Sequence, residues 1–423
     1  MSKVVVVGQG YVGLPMALRA AEVGHEVVGL DLNAATVSAL NAGRSHIDDI
    51  SDGALAAGLS AGFTATDEPA CLSDGDVIVV CVPTPLSSDG GPDLGAVEGA
   101  ARTIGERVKD GALVILESTT YPGTTEEIFA PLVLGGDRTP NDVLIAFSPE
   151  RINPGDQVYG VRNTPKVVGG LTQAATEAAR DFYSSFIDTV VPAKGAKEAE
   201  MAKLLENTFR HVNIALVNEM LRFSHELDID LWNAIDCAET KPFGFMAFRP
   251  GPGVGGHCIP VDPSYLSHRV RAKLGYSFRM VELAEEINHA APIYVAQRVW
   301  QELNDRRIAI NGAHILLLGV TYKANISDMR ESPAQPLAEQ LLRWGASVEY
   351  ADPHVPAWSV RDPAGERVVI PRREDLPEAM GHADIVVLLQ EHHELVDALA
   401  EHPAGSVLDT RGRMNLTDTV SRL

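Results

Sequence analysis

One cysteine stands where the chain carries almost no side chains. Cys258 follows a glycine-rich run in GPGVGGHCIPVDP, residues 251–263, and Asp262 comes four residues later. We predict a helix with Asp262 as its N-cap and Pro263 at its first position, ending before Gly275. A thiol close to a helix N-terminus has a lowered pKa and is nucleophilic. The pattern points to Cys258 as a nucleophile, although helix capping alone would also explain Asp262.

A second set of polar side chains recurs along one predicted helix. In EAEMAKLLENTFRH, Lys203, Asn207 and His211 are spaced by four residues and therefore share one helix face. A buried lysine and a buried asparagine need partners or a ligand, because burying an unpaired polar group is unfavourable. A solvated stripe on an amphipathic helix is the alternative, and the residues alone leave both open.

Polar residues also follow two predicted strands. Thr119 lies in ESTTYPG, and Glu150 and Arg151 lie in SPERINPGD, each just after an apolar run. Open α/β sheets bind ligands at the carboxyl ends of their strands. A solvated loop ion pair explains Glu150 and Arg151 equally well. Thr124 and Glu127 have the spacing of a helix capping box, so we expect those two to be structural.

The first turn of the chain carries a phosphate-binding pattern. An apolar run ends in GxGxxG at Gly8, Gly10 and Gly13, and the next apolar run ends in Asp31, 18 residues after Gly13. The glycines allow pyrophosphate to approach a helix N-terminus, and an acid at this distance suits a ribose 2′-OH. Because Asp31 would repel a 2′-phosphate, the pattern predicts NAD rather than NADP. A glycine-rich turn in some other α/β protein is the alternative.

The elements that must position these residues are of α/β type at both ends of the chain. Apolar runs such as VIVVCV and LVILES alternate with helical stretches, which is typical of a parallel sheet covered on both faces. The pattern returns at HILLLGV without GxGxxG, so the second copy is expected to bind a different ligand. We predict an α/β fold of two Rossmann-like parallel-sheet domains joined by a central helical region, with domains at 1–195, 196–304 and 305–423.

The central region is predicted to consist of long helices. One begins near Glu198, a second has Asp230 as its N-cap, and a third covers roughly Phe278 to Asn304. Pro292 lies inside the third pattern and allows a kink or a break there.

Composition excludes several classes of function. The 423 residues carry a net charge of −22, which argues against nucleic acid as a partner. The four cysteines show no CxxC or Cys/His spacing, so neither a metal site nor a disulfide is expected. No run of apolar residues is long enough for a membrane span, and MSKVVVVGQG reads as a strand rather than a signal peptide. We expect a soluble cytoplasmic protein with no membrane partner.

Seven segments, spread over essentially the whole chain, carry a family resemblance. They are GQGYVGLP, CVPTP, ESTTYPG, SPERINPGD, EMAKLLENTFRHVN, GVGGHCIPVDP and YKANISDMRESPA. Together they resemble the UDP-glucose/GDP-mannose dehydrogenase superfamily, the nucleotide-sugar 6-dehydrogenases. The resemblance implies an NAD-binding Rossmann domain, a central helical region that forms a homodimer, and a C-terminal domain that binds the nucleotide (UDP) of the substrate. It also implies oxidation of a sugar C6 alcohol to the carboxylate with two NAD⁺.

The resemblance assigns roles to individual residues. Cys258 is implied to add to the aldehyde as a thiohemiacetal that becomes a thioester, with Lys203 and Asn207 stabilising the oxyanion and Asp262 working with Lys203 in proton transfer. Thr119 and Glu150 are implied to handle the catalytic water, Glu150 as general base. The remaining positions are expected to bind ligands. For the cofactor they are Gly8, Gly10, Tyr11, Val12, Gly13, Asp31, Thr84, Thr119 and Arg330; for the substrate they are Glu150, Arg151, Lys203, Asn207, Arg210, Gly255, His257 and Lys323.

The choice of sugar depends on the segment around Cys258. FGFMAFRPGPGVGGHCIPVDP resembles the branch that oxidises UDP-N-acetylhexosamines (UDP-GlcNAc or UDP-ManNAc), whereas UDP-glucose enzymes usually have a small residue at the position of His257. His257, Arg210 or His211 could donate to the N-acetyl carbonyl. A UDP-glucose or TDP-glucose 6-dehydrogenase is the alternative within the family. Outside it, a single-step β-hydroxyacid-type dehydrogenase or a non-catalytic nucleotide-sugar sensor would share the layout but have no use for Cys258.

Overall fold

The computed structural model describes residues 1–47, 50–87, 91–152, 158–256, 258–402 and 404–423, without the side chain of Cys258. The chain divides into two compact units. One consists of Met1–Glu206 with Ser264–Tyr276, and the other of Asn207–Pro263 with Ser277–Leu423. The predicted boundaries between three domains stay a prediction.

The first unit is built on an eight-stranded sheet with the order β3-β2-β1-β4-β5-β6-β7-β8. Neighbouring strands are parallel except β6 and β7, which are antiparallel. The strands are β1 (Lys3–Val7), β2 (Glu26–Leu30), β3 (Phe63–Thr66), β4 (Val77–Val80), β5 (Leu113–Leu116), β6 (Leu144–Phe147), β7 (Lys166–Gly170) and β8 (Val190–Pro192). The helices are α1 (Gly13–Glu22), α2 (Ala34–Asn41), α3 (Asp52–Ser60), α4 (Gly95–Gly105), α5 (Ala130–Leu134) and α6 (Gln173–Ser184).

The central strands of this sheet are apolar along their whole length. Every residue of β4, VIVV, and of β5, LVIL, is buried. A strand that is buried on both faces needs no alternation of polar residues, and β-branched side chains suit it. The chain therefore places its polar residues just beyond the strand ends.

In the part that the structure describes, the middle of the sequence is mainly helical, with three long helices and one short one. They are α7 (Ala196–Glu226), α8 (Leu231–Glu239), α9 (Cys258–Leu274) and α10 (Arg279–Asp305). Asp230 caps α8 by accepting the Asn233 N–H, as predicted. Pro292 lies inside α10, and the helix continues through it without a break.

The predicted start of α9 is wrong. The helix begins at Cys258, so Pro263 lies inside it and Asp262 is not its N-cap. The early start is possible because Pro260 falls in the first turn, where backbone N–H groups have no helical partner. The predicted end is confirmed, since the helix stops at Leu274 and Gly275 takes a φ of +77°.

The second unit contains another parallel sheet, with the order β10-β9-β13-β14-β15, and a two-stranded antiparallel pair of β11 and β12. The strands are β9 (His314–Leu318), β10 (Ser347–Ala351), β11 (Trp358–Arg361), β12 (Arg367–Ile370), β13 (Ile385–Leu388), β14 (Val407–Asp409) and β15 (Val420–Arg422). Its helices, besides those of the middle region, are α11 (Ala334–Arg343), α12 (Leu376–His382) and α13 (His393–Glu401). The predicted fold class is confirmed. None of the described helices is long and apolar enough to cross a membrane.

Candidate active site

The glycine turn after β1 is closed on one side and open on the other. Gly8 has a φ of +92°, and a Cβ there would lie 2.7 Å from the Cys81 carbonyl oxygen. A Cβ at Gly13 would lie 1.9 Å from the Gly8 carbonyl oxygen. At Gly10, by contrast, a Cβ would meet no described atom within 4 Å. Gly8 and Gly13 therefore allow the tight turn, while Gly10 leaves room for a ligand to reach the backbone.

Asp31 faces this turn from the end of β2. One carboxylate oxygen accepts the Gln9 N–H at 2.9 Å, and the other accepts the Asn33 N–H at 2.9 Å. Each oxygen keeps a second lone pair for a ribose hydroxyl. Helix α1 also begins without a side-chain cap, so its N-terminus faces the turn as an anion site does. These residues fit a dinucleotide.

The second sheet repeats this arrangement with a different outcome. Asp352 after β10 accepts the Val320 N–H at 2.7 Å and the His354 N–H at 2.8 Å, as Asp31 does in the first sheet. Here, however, the buried His392 ring lies 3.2 Å from the Asp352 carboxylate. The acid is already paired inside the protein, so this copy does not offer the ribose site that Asp31 offers. The expectation of a different ligand for the second copy fits this difference.

The predicted capping box at Thr124 is wrong. Thr124 has helical backbone angles and its side chain caps nothing; its hydroxyl donates to the Tyr121 carbonyl at 2.7 Å. The carboxylate of Glu200 on α7 serves this turn instead, accepting the N–H groups of Gly123 at 2.6 Å and Thr125 at 2.9 Å. Glu200 is fully buried, and its charge-assisted hydrogen bonds to these two N–H groups anchor the loop that carries Thr119.

Glu127, which follows that loop, forms an ion pair with α9. Its carboxylate pairs with Arg269 of α9, and Arg269 lies over the Tyr121 ring, 4.8 Å from its centroid. Tyr265 of the same helix donates to the carbonyl of Thr84, a residue predicted to bind the cofactor. Within the first unit, α9 therefore supports both loops that follow β4 and β5. Thr119 itself is half-buried at the end of that strand.

Glu150 is not part of a solvated ion pair. Its side chain is 13% exposed, and one carboxylate oxygen accepts the N–H groups of Arg151 at 2.7 Å and Ile152 at 2.5 Å. The other lies 3.3 Å from the ammonium of Lys166. Arg151 turns to Glu206 at 2.7 Å. Glu150 and Arg151 therefore do not pair through their side chains: Glu150 pairs with Lys166, and Arg151 pairs with Glu206.

The helical stripe is buried, which excludes the solvated alternative. Lys203, Asn207 and His211 are 8%, 6% and 2% exposed. In the first unit, the Lys203 ammonium donates to the main-chain carbonyl of Glu150 at 2.6 Å. In the second unit, the Asn207 amide donates to the fully buried carboxylate of Asp262 at 2.5 Å. Two pairs of predicted catalytic residues thus lie in direct contact.

His211 belongs to a chain of hydrogen bonds that holds the glycine loop. Asn288 donates to the His211 carbonyl at 3.2 Å, and Asn218 donates to the Asn288 side chain at 3.2 Å. Asn218 in turn accepts the Gly251 N–H at 3.0 Å. Burial lowers the pKa of His211 to about 4, aided by nearby His289, so the ring is neutral at physiological pH.

Farther along, the loop is packed against the segment that carries Lys323. A Cβ at Gly255 would lie 2.7 Å from the Glu331 carbonyl oxygen, and one at Gly256 would lie 2.6 Å from the Tyr322 ring. The Gly256 N–H donates to the Arg330 carbonyl at 2.9 Å. The glycines that precede Cys258 are therefore required by close packing inside the second unit.

Arg330 and Lys323 differ in their surroundings. Arg330 is exposed, and its guanidinium donates to both carboxylate oxygens of Asp328, to Oδ1 at 3.0 Å and to Oδ2 at 2.6 Å. Lys323 is half-buried, and its carbonyl accepts from the Thr321 hydroxyl at 2.8 Å. The buried His392 accepts the Asn325 N–H at 2.9 Å, so it fixes the same loop.

The other predicted positions are less constrained. Tyr11 and Arg210 are exposed, and Val12 is half-buried. His257 and the side chain of Cys258 lie outside the described residues, so their roles stay predictions.

Sequence reasoning missed Glu117, Lys166 and Arg411. Glu117 directly follows the fully buried β5 and Lys166 opens β7, and a charge attached to a buried strand is a usable signal. Arg411 follows Asp409 after β14 and donates to the Leu389 carbonyl at 2.6 Å. Burial lowers the pKa of Arg411 to about 10. It is a cation at the carboxyl end of the second sheet, where such folds bind anions.

Three family profiles match consecutive parts of the chain. The NAD binding domain of the UDP-glucose/GDP-mannose dehydrogenase family matches residues 2–187. The central domain of that family matches residues 197–290, and its UDP binding domain matches residues 316–416.

Individual relatives cover nearly the whole chain. A UDP-N-acetyl-D-mannosamine dehydrogenase of Pyrococcus horikoshii is 35% identical over 395 residues, covering 93% of this chain and 90% of the relative. A UDP-N-acetyl-D-glucosamine 6-dehydrogenase of Pseudomonas aeruginosa is 36% identical over 405 residues, covering 95% and 93%. The solved structure of UDP-D-ManNAc dehydrogenase from Pyrococcus horikoshii superposes with a TM-score of 0.87 at 32% identity, covering 99% of this chain and 98% of that one.

Proposed function

This chain belongs to the UDP-glucose/GDP-mannose dehydrogenase family as an NAD-dependent nucleotide-sugar dehydrogenase, and we propose that it oxidises the C6 alcohol of a UDP-N-acetylhexosamine to the carboxylate. The observation that carries the proposed oxidation is the buried contact between Asn207 and Asp262, and the choice of sugar is supported by the likeness to the UDP-N-acetyl-D-mannosamine and UDP-N-acetyl-D-glucosamine dehydrogenases. A buried carboxylate is costly unless it is paired or used, and here its partner is a side chain predicted to act on the same substrate.

The reaction needs a nucleophile because an aldehyde carbon cannot give up a second hydride until it is tetrahedral. When bound, NAD⁺ accepts hydride from the sugar C6, twice for each product. The Cys258 thiolate adds to the aldehyde carbon, forming a C–S bond and an oxyanion. Oxidation of that thiohemiacetal leaves a thioester, and water then releases the carboxylate and restores the thiol. The alcohol loses four electrons in all.

Lys203 and Asn207 supply the charge stabilisation that this path requires. The Asn207 amide has two hydrogens, and only one is needed for Asp262, so the other serves the oxyanion. The Lys203 ammonium has three hydrogens, one of which goes to the Glu150 carbonyl. Both groups are buried and held in place, which is the condition for strong stabilisation of a transition-state charge.

The proposal is tested with a panel of UDP-GlcNAc, UDP-ManNAc, UDP-glucose and TDP-glucose, with NADH counted for each product. We expect two NADH per sugar and the highest kcat/KM with one of the N-acetylhexosamines. A tenfold preference for UDP-glucose, about 1.4 kcal/mol of transition-state discrimination, would move the assignment to the alternative within the family. One NADH per sugar would indicate a single-step dehydrogenase, and none would indicate a sensor.

Cofactor choice follows from Asp31. Asp31→Ser is expected to raise the KM for NAD⁺ and to reduce the discrimination against NADP⁺, because it removes the acceptor for the ribose hydroxyls and the charge that repels a 2′-phosphate. Steady-state kinetics with both cofactors measure the ratio. Asp352→Ser serves as the comparison, since its carboxylate has a similar backbone setting in the other sheet. Equal use of NADP⁺ by the unmodified protein would contradict this role for Asp31.

The assembly is proposed to be a homodimer. Phe209, Leu216 and Phe223 are exposed and recur every seven residues on α7, so they form one apolar stripe on the helix surface. A second copy of the chain is the partner that the resemblance implies, and light scattering measures the mass.

A further inference from the structure

Next to Glu150 lies a buried ion pair, Lys166 with Glu117, to which the reaction scheme gives no role. The ammonium of Lys166 is 2.9 Å from the carboxylate of Glu117 and 3.3 Å from that of Glu150. The Lys166 side chain is 7% exposed and that of Glu117 is fully buried. The cluster thus contains two carboxylates and a single cation that contacts both.

Three further titratable side chains lie near the cluster among the described residues: Tyr183, Cys81 and Lys203. The Tyr183 hydroxyl on α6 donates to Glu117, and its ring centroid lies 5.2 Å from the Lys166 ammonium. The Cys81 sulfur after β4 lies 3.8 Å from Glu117. On α7, Lys203 reaches the Glu150 carbonyl. Burial raises the pKa of Cys81 and of Tyr183, so both stay protonated.

Lys166 offsets part of the negative charge of the two carboxylates. Burial acts to lower the pKa of Lys166, but Glu117 and Glu150 outweigh it and raise the pKa above its ordinary value. Burial acts to raise the pKa of Glu150, but Lys166, the Ile152 N–H and Lys203 outweigh it, so the pKa lies below its usual range. Lys166 therefore stays charged and keeps Glu150 as the carboxylate.

The cluster is connected to the predicted catalytic lysine by one residue. The Glu150 carboxylate is held on one oxygen by two backbone N–H groups and on the other by Lys166. The carbonyl of the same residue accepts from Lys203. A displacement of Glu150 would therefore move the acceptor that orients the Lys203 ammonium.

We propose that Lys166 is a positioning residue for the oxidation, which fixes Glu150 and through its carbonyl orients Lys203. This role depends on the proposed function, because the proposed function is what makes Lys203 part of the reaction. Lys166 makes no contact with substrate in this scheme. It acts by supplying the counter-charge without which two buried carboxylates would repel each other.

The test compares Lys166→Met with Lys166→Arg, using the nucleotide sugar that the unmodified enzyme oxidises. Lys166→Met should lower kcat by about tenfold to a hundredfold, since small misplacements of catalytic groups cost on this order, while KM changes little. Without the ammonium, burial and the repulsion from Glu117 favour a protonated Glu150. The acidic limb of the kcat–pH profile should then move to higher pH. Lys166→Arg keeps the positive charge, so we expect the acidic limb at the pH of the unmodified enzyme and a kcat much closer to it than that of Lys166→Met.

A structural role alone would give a different result. If Lys166→Met lowered the melting temperature but left kcat and the acidic limb of the folded protein unchanged, the proposal would be overturned. If Lys166→Met does not fold, Glu117→Gln is used instead. In that variant Lys166 pairs with Glu150 alone, so the pKa of Glu150 should fall. We then expect kcat to be retained and the acidic limb of the kcat–pH profile to move to lower pH. An unmoved limb in that variant contradicts the proposal.

A failure of the proposed oxidation and a failure of the Lys166 role give different experimental results. An unmodified enzyme that oxidises no nucleotide sugar contradicts the proposed function and removes the basis for Lys166 with it. An active enzyme whose Lys166→Met variant behaves normally contradicts the positioning role alone.

Discussion

Cys258→Ala is expected to abolish four-electron turnover, with a loss in kcat on the order of 10⁴-fold or more, as when a catalytic nucleophile is removed. Without the thiol, the aldehyde cannot become a thiohemiacetal, so the second oxidation has no substrate. The first oxidation needs no nucleophile. Quenched single-turnover reactions should therefore contain at most one NADH per sugar, and full four-electron turnover by this variant would contradict the thioester path.

Cys258→Ser gives a second and more specific result. A serine alkoxide can add to the aldehyde, and oxidation then leaves an oxygen ester, which hydrolyses more slowly than a thioester. Intact-mass spectrometry after reaction should show the protein carrying the uronyl group. A Cys258→Ser variant that kept the kcat of the unmodified enzyme and accumulated neither the ester nor the aldehyde would place the thiol outside the reaction.

Cys237→Ser is the matched control. Cys237 is exposed on α8, and we expect its replacement to leave kcat unchanged. Cys81 is unsuited to chemistry, because burial and the neighbouring carboxylate of Glu117 raise the pKa of its thiol well above the ordinary value. Burial also raises the pKa of the Cys71 thiol. In a Cys237→Ser background, iodoacetamide should therefore inactivate through Cys258, and substrate should protect.

Much of the first sheet was predictable because its signals are local. GxGxxG and Asp31 lie within one βαβ unit, and their spacing alone restricts where the turn and the acid can be. The central helices were also predictable, since α7 and α10 carry long apolar periodicities with no glycine. The end of α9 could be read from Gly275, which takes the left-handed conformation that follows many helices.

Contacts between distant segments were not predictable in the same way. Glu117, Glu150 and Lys166 follow or open three strands that become neighbours only through the order β5-β6-β7. Nothing in the local sequence states that β7 is antiparallel to β6, which places the first residue of β7 beyond the end of β6, next to Glu150. For the same reason, the contact between Glu200 and the Thr125 turn, 75 residues apart, could not be predicted from the sequence, which shows only the local pattern of a capping box.

The start of α9 shows a conflict between a local rule and packing. Aspartate followed by proline is a strong helix-start signal. In the folded chain, however, Asp262 lies inside α9, is fully buried, and its carboxylate accepts from Asn207. Local rules tend to fail at functional sites, where a side chain is needed for something other than its own helix.

Lys203→Ala and Asn207→Ala are each expected to lower kcat by about 10²–10³, the usual effect of removing one donor to an oxyanion. KM for the nucleotide sugar should change far less, because the charge that these donors stabilise exists mainly in the transition state. Asn207→Ala should also lower the melting temperature, since it takes the amide donor away from the buried Asp262 carboxylate.

Lys197→Ala and Asn213→Ala, on the same helix, are the controls: Lys197 is exposed and pairs with Glu126, and Asn213 donates to the Phe209 carbonyl at 2.7 Å. Both should retain kcat. If Lys203→Ala or Asn207→Ala instead raised KM with kcat unchanged, that residue would bind the ground state, and its part in stabilising the oxyanion would have to be withdrawn.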